Sequence, residues 1–349
     1  MGKSGIKGVK KVAIMEQCMN GGTKKWYMVK KMGIVGVWIV LSIVMLTVKS
    51  RNCMKITFLD VGQGDAIVVQ SETGHTYLID GGSSSNNKIA EYQLIPYLKY
   101  NGIDTIECAF VSHLDEDHYN GILYLLQSGK REGIQVKQLI LSAADIKDES
   151  YQEICAAANR NMTEVSYMKR GDYLQDEKLL IECLYPICDT TVSERNEASL
   201  ALAVRYDTFL GVFMGDLGTE QEMVIMKQEV EEKEQEQETM MVKREAEEKE
   251  QEQETMMVKR EAVGNVTCIL LKAGHHGSRY SSSRAFLEWV KPDVTVISCG
   301  EDNSYGHPHD ETLQRLENID SEVLATPKHG AIIVEIGEKI EVRCWTNPD

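Results

Sequence analysis

Residues 111–121 read Val-Ser-His-Leu-Asp-Glu-Asp-His-Tyr-Asn-Gly. Two imidazoles, His113 and His118, and three carboxylates, Asp115, Glu116 and Asp117, fall within this short stretch. Adjacent carboxylates repel, so such density is costly unless a cation gathers it. A divalent metal ion, or a pair, is the natural collector. His113 and Asp115, at alternate positions, can face one ion; Asp117 and His118, just past the turn, can face a second. The plainer alternative is a solvated acidic loop in which Asp115 or Asp117 caps a helix.

Other stretches carry the same kinds of residue. Gly215-Asp216 follows an apolar run and offers a carboxylate able to bridge two ions. Ala273-Gly274-His275-His276-Gly277-Ser278 ends another apolar run; one of its two histidines is expected to bind metal, His276 for preference, with His275 beside it. The loop Tyr305-Gly306-His307-Pro308-His309 is bounded by glycine and proline, and His307 there could give a proton or a hydrogen bond to a substrate oxygen. Asp80, before Gly81 and Gly82, either orients a neighbouring ligand or is a plain turn aspartate. Nine cysteines form no Cys-x-x-Cys pair, which leaves a zinc-thiolate site without support. Cys183 and Cys188 could pair outside the cell, but buried free thiols are the preferred reading.

These residues need strand ends to hold them, and the hydropathy pattern supplies strands. Apolar or alternating runs at 56–61, 66–69, 76–79, 106–111, 136–141, 179–184, 200–206, 209–214, 266–272 and 292–298 read as strands, with two more closing the chain around Lys328-His329-Gly330. Helical patterns occupy 89–99, the stretch after Asn120, 151–159, 281–291 and the stretch from Thr312. Strands and helices alternate, with antiparallel hairpins at each end, so α/β layers around a mixed sheet are expected.

The formal charge of −16 is uneven. The first 51 residues hold ten Lys or Arg and one Glu, about +9, which leaves about −25 for the remainder. A basic head on an acidic body suggests a membrane anchor with a soluble domain, and argues against holding nucleic acid by bulk charge. Residues 1–31 form the basic segment. Residues 32–48 are uncharged and apolar, long enough for one transmembrane helix. With the cations before the span, the body, 55–345, is expected outside a cell membrane on a single-pass anchor; secretion is the alternative. The body is expected to be interrupted at 220–262 by an acidic helical insertion. There, Glu-Glu-Lys-Glu-Gln-Glu-Gln-Glu-Thr-Met-Met-Val-Lys-Arg-Glu-Ala occupies 231–246 and recurs unchanged at 247–262. A sixteen-residue shift turns the Met-Met-Val patch by roughly 160° around a helix, which rules against a coiled-coil seam.

His113-x-Asp115-x-Asp117-His118 resembles the metal signature of the metallo-β-lactamase fold. Together with Leu59-Asp60-Val61-Gly62-Gln63-Gly64-Asp65-Ala66, His275-His276-Gly277-Ser278 and Gly306-His307-Pro308-His309, it resembles the extracellular C-terminal domain of the ComEC competence proteins. The likeness implies an αββα sandwich with metals along one edge of the β-layers. It also implies metal-dependent hydrolysis of phosphodiesters, with nuclease activity on single-stranded DNA as the family expectation. The implied metal ligands are His113, Asp115, Asp117, His118, Asp216 and His276. Asp117 and His307 are the expected catalytic pair. Asp65, Asp80, Asn196, His275, Ser278 and His309 are expected to support the ligands or touch substrate.

Two departures bear on this. The wider fold usually has a histidine where Asp115 stands and another near where Asn196 falls, so this oxygen-rich set favours manganese or magnesium over zinc; for the two divalent ions manganese is preferred, with zinc or magnesium as alternatives. ComEC proteins also carry a multi-helix channel, whereas one span is visible here, so DNA transport is not implied. The competing readings are a hydrolase of small-molecule or cell-wall phosphodiesters and a non-catalytic exported binding module.

Overall fold

The described residues of this computed structural model are 53–231 and 266–345, apart from 189 and 191, together with 34 and 36–38. The chain divides into two units, 1–50 and 51–349. In the first, residues 34 and 36–38 are helical. The rest of the expected span at 32–48, and the tandem repeats beyond Glu231, lie outside the described residues. Among the described residues no helix is long and apolar enough to cross a membrane.

The second unit has fifteen strands: β1 Met54–Phe58, β2 Ala66–Gln70, β3 Thr76–Gly81, β4 Thr105–Phe110, β5 Gln135–Ser142, β6 Glu164–Met168, β7 Tyr173–Asp176, β8 Leu179–Tyr185, β9 Ala201–Tyr206, β10 Phe209–Phe213, β11 Cys268–Lys272, β12 Val294–Ile297, β13 Glu322–Ala325, β14 Ala331–Ile336 and β15 Ile340–Trp345. They form two mixed sheets, an eight-stranded one in the order β15-β14-β1-β2-β3-β4-β5-β6 and a seven-stranded one in the order β13-β12-β11-β10-β9-β8-β7. The helices are α1 Ile95–Tyr100, α2 Glu116–Glu132, α3 Glu149–Asn161, α4 at 219–231, α5 Arg284–Val290, α6 Asp310–Glu317 and α7 Thr326–His329.

Period-two alternation sorts the strand residues into layers. Ile56 and Phe58, Ile67 and Val69, and Tyr77 and Ile79 face the other sheet, where Val204, Phe209, Phe213 and Val296 meet them. The Phe58 and Phe213 rings stack across the seam with centroids 6.1 Å apart. Each such buried ring contributes about 1.5–3 kcal/mol relative to exposure. The opposite faces of the same strands, Val68, Leu78 and Ala109 among them, lie under Ile122 and Leu125 of α2 and Ile154 of α3. On the far side, Ala203, Val212 and Leu271 pack with Ile225 of α4, Phe286 of α5 and Leu316 of α6. The result is the αββα arrangement of the metallo-β-lactamase fold.

Several boundaries depart from expectation. Strands β6 and β7 carry exposed and half-buried residues, so their apolar signal is weak. Residues 326–329 form a short helical turn between the closing strands. Helix α4, where the expected insertion starts, packs on the body: Ile225 is buried and Glu222 accepts hydrogen bonds from the amides of Ser282 and Ser283. Cys183 and Cys188 are both free thiols.

Candidate metal centre

The catalogue of chemical residues converges where the carboxyl ends of β3, β4, β10, β11 and β12 meet. Glycines permit the convergence. A Cβ on Gly82 would lie 2.4 Å from the backbone of Asp117 and His118, and one on Gly121 would lie 2.0 Å from the Gly81 carbonyl. Only bare backbone lets the start of α2 rest against the end of β3. Asp80, His275 and His276 sit in the left-handed region at φ +55°, +49° and +52°. Such backbone costs about 1–3 kcal/mol per residue and persists where surroundings dictate it.

The buried atoms gathered here without hydrogen-bond partners include Nε2 of His113, His118 and His276, and Oδ1 of Asp216 and of Asp65. Buried polar atoms are normally satisfied, so such a cluster of donors fits a divalent cation. His118 Nε2 lies 3.3 Å from Asp216 Oδ1. His276 Nε2 lies 3.4 Å from Asp117 Oδ2 and 3.6 Å from Asp216 Oδ2. His113 Nε2 lies 3.5 Å from Asp115 Oδ2, and its ring centroid is 4.2 Å from that of His118. The donor set is thus three imidazoles and three carboxylates, which fits one or more divalent ions.

The other nitrogen of each ligand ring is held from behind. His118 Nδ1 lies 2.9 Å from Asp80 Oδ2, while the Ser112 amide and hydroxyl each donate to Asp80 at 2.7 Å. His276 Nδ1 donates to the Ser298 carbonyl at 2.9 Å. Both contacts place the proton on Nδ1 and leave the Nε2 lone pair free for a metal. Asp65 approaches these same Nδ1 atoms, at 3.8 and 3.9 Å, and its Oδ2 pairs with the buried Lys272 ammonium at 2.8 Å. A ligand atom of Asp65 lies within 4.8 Å of those of His118, Asp216 and His276. Its approach to the Nδ1 side nevertheless makes it a support behind the rings.

Electrostatics agree with a site built for positive charge. Burial alone would raise Asp117, but the His276 and His118 imidazoles hold it at about 2. Burial likewise opposes ionisation of Asp216, and the surrounding imidazoles still push it well below the usual carboxylate range. Burial disfavours protonated His118 and His276, yet neighbouring carboxylates, Asp216 foremost, raise both.

At the rim, His275 Nε2 lies 3.8 Å from Asp216 Oδ2 and 3.5 Å from Asn196 Nδ2. Burial lowers His275, with Asp216 pulling the other way. His307 stands with its ring 5.5 Å from that of His275, and Tyr305 stacks on it at 5.6 Å. Burial, then the neighbouring imidazoles, push His307 down to about 4, so it is neutral near pH 7. Two expected contributors stand apart from the inward-facing atoms. The Ser278 hydroxyl accepts from the Tyr280 amide within its own loop, and His309 Nδ1 accepts from the Arg279 amide while its ring packs 5.0 Å from His307.

Sequence reasoning missed Lys272, Ser112 and Arg195. A charge ending a fully apolar strand was the available signal for Lys272. Ser112 lay in plain view inside the motif. Arg195 carried no signal beyond its place next to Asn196.

Residues 59–131 match the Metallo-beta-lactamase superfamily. Over 291 residues, 80% of this chain, the sequence is 28% identical to ComE operon protein 3 of Bacillus subtilis (strain 168), covering 32% of that protein. It is 25% identical over 296 residues, 84% of this chain, to Recombination protein 2 of Haemophilus influenzae, covering 30% of it. It is 38% identical over 74 residues, 21% of this chain, to Competence protein ComA of Neisseria gonorrhoeae, covering 11% of it. The chain therefore spans about a third or less of the length of these relatives. The domain has the metallo-β-lactamase fold, and its sequence is similar to that of ComEC-like competence proteins.

Proposed function

We propose that the body is a metal-dependent phosphodiesterase, with single-stranded DNA as its substrate. The observation that carries this reading is the set of unpartnered buried atoms on His113, His118, His276 and Asp216, ringed by ionised carboxylates. The competence-protein relatives support the choice of DNA. Asp117, His118 and His276 would hold one divalent ion, and His113 with Asp115 another. Asp216, with one oxygen toward His118 and the other toward His276 and His275, would complete the ligand set and could be shared between the two ions. Manganese is favoured because half of the six side chains offer oxygen. Bound divalent ions supply Lewis acidity for a phosphoryl oxygen and acidify water.

The chain's own groups do the rest. Asp80 and the Ser298 carbonyl keep the ligand rings in the right tautomer. Neutral His307 donates an N–H hydrogen bond to a substrate oxygen where charge develops. His275 and Asn196 flank the open side of Asp216. The charge of −16 favours a second reading, hydrolysis of a small phosphodiester, since an anionic polymer is repelled at long range. We place the body outside the cell on a single anchor at 32–48, a reading supported by the cationic residues before that stretch.

The test is a purified full chain given single-stranded DNA and a small phosphodiester, with manganese, zinc or magnesium, at low ionic strength. Cleavage that requires a divalent ion, is best with manganese, and falls at least about a hundredfold in Asp117→Asn is expected. Cleavage indifferent to chelation and to that substitution would end the metal-dependent reading. Metal binding without turnover on any phosphodiester would leave an exported binding module.

A further inference from the structure

Asp115 occupies the N-cap position of α2, with extended backbone at φ −90° and ψ 147°. An aspartate there ordinarily turns its carboxylate back onto the first helical amides, a contact worth about 1 kcal/mol. Asp115 makes no such contact. Its Oδ1 instead accepts from Arg195 Nη1 at 3.0 Å, and its Oδ2 faces His113 Nε2 at 3.5 Å. Among the described residues these are the polar contacts of that carboxylate.

Arg195 is itself fixed from several sides. It lies between β8 and β9, one residue before Asn196. Its Nη1 also donates to the Leu114 carbonyl at 2.8 Å. Its Nε and Nη2 donate to Asp148 Oδ2 at 2.9 and 2.6 Å, and Nη2 reaches the Ser150 hydroxyl at 3.3 Å. Asp148 in turn caps α3, its Oδ1 accepting from the Tyr151 amide at 3.1 Å. One planar guanidinium thus ties the ligand loop before α2 to the start of α3. Its fork geometry suits this; a lysine ammonium could not reproduce it.

We infer that Arg195 is a positioning residue: it turns the Asp115 carboxylate away from its helix and toward His113, and so creates the second cation position. The inference rests on the metal-dependent reading above. Two consequences follow from this placement. The position at His113 and Asp115 has fewer ligand side chains than the position at Asp117, His118, Asp216 and His276, so it holds its ion more weakly. And Arg195 acts only through Asp115, so its removal has nothing to act on once that carboxylate is gone.

The experiment is a manganese titration of the full chain by equilibrium dialysis, with bound metal counted directly and no turnover measured. Wild type is expected to bind two ions of unequal affinity. Arg195→Gln should keep the tighter ion at wild-type affinity and weaken the looser one by about tenfold or more. Arg195→Lys should fall between. Asp148→Asn, which leaves the Asp115 contact in place, should retain both ions while lowering the unfolding temperature. In an Asp115→Asn background, Arg195→Gln should cause no further loss. If Arg195→Gln does not fold, Arg195→Lys carries the same comparison. Two ions bound as in wild type by the arginine variants, or additive losses in the double variant, overturn the role given to Arg195 alone. A wild-type chain that takes up no ion overturns the metal-dependent reading and this role with it.

Discussion

Asp80 Oδ2 meets His118 Nδ1 at 2.9 Å, and the same carboxylate gathers the amide and hydroxyl of Ser112. One side chain at the end of β3 therefore fixes both the end of β4 and the first helical turn of α2. It commits His118 to offering Nε2 to the centre.

Asp80→Asn should leave the sheets intact but loosen that commitment, since an amide can present its NH2 to the ring and spoil the tautomer. Divalent-ion affinity should fall by about 10–100-fold, read by competition with a fluorescent chelator. Unchanged affinity would mean that Asp80 serves only the turn.

Metal binding should release protons. Neighbouring carboxylates raise His118 and His276 and so favour their protonated forms. A divalent ion takes the place of protons on these rings, so protons leave as it binds. Affinity should then strengthen as pH rises and weaken as it falls. Calorimetric titrations in buffers of different ionisation enthalpy measure the number; no release would place the ion away from these two rings.

His307, pushed down to about 4, is neutral through the physiological range. If it donates a hydrogen bond, the turnover rate should hold or rise between pH 6 and 8. If it had to donate its extra proton from a group of that pKa, the rate would drop about tenfold per pH unit above it. His307→Ala should bind metal as wild type does and lose about two to three orders of magnitude in rate.

Burial pushes the Asp145 carboxyl up to about 8, with Asp148 adding to the rise. Between its ordinary pKa and 8 the folded chain holds a proton that the unfolded chain has lost. Stability from this group thus declines as pH climbs through that window. Asp145→Asn should flatten the decline, and melting curves of both proteins at pH 5 and pH 8 give the comparison. An equal pH slope in both would show that Asp145 ionises normally.

Much of the centre was legible because each contributing loop is short and self-announcing. His113, Asp115, Asp117 and His118 lie in one window, and His275 with His276 in another, each after an apolar strand and beside glycine. What joins the windows was not legible. Lys272 and Asp65 pair across the two sheets from positions far apart in the chain, and neither residue's immediate surroundings names the other. Arg195 was similarly hidden, because a surface-loop arginine gains meaning only when Asp115 and Asp148 are seen on either side of it. The sandwich followed from strand count and alternation.

The centre draws Asp80, His113 and His118 from one sheet and Asp216 and His276 from the other. Its parts therefore become available in a fixed order while the chain is being made. By the time the first sheet's ligands have emerged from the ribosome, the Asp216 carboxylate and the last imidazole are still unsynthesised, and the Ser298 carbonyl that aims that imidazole comes later still. A nascent chain could hold an ion only loosely at this stage. If the centre takes up metal as proposed, tight capture would wait until both sheets have closed on each other, and metal loading would report that the whole domain has been built.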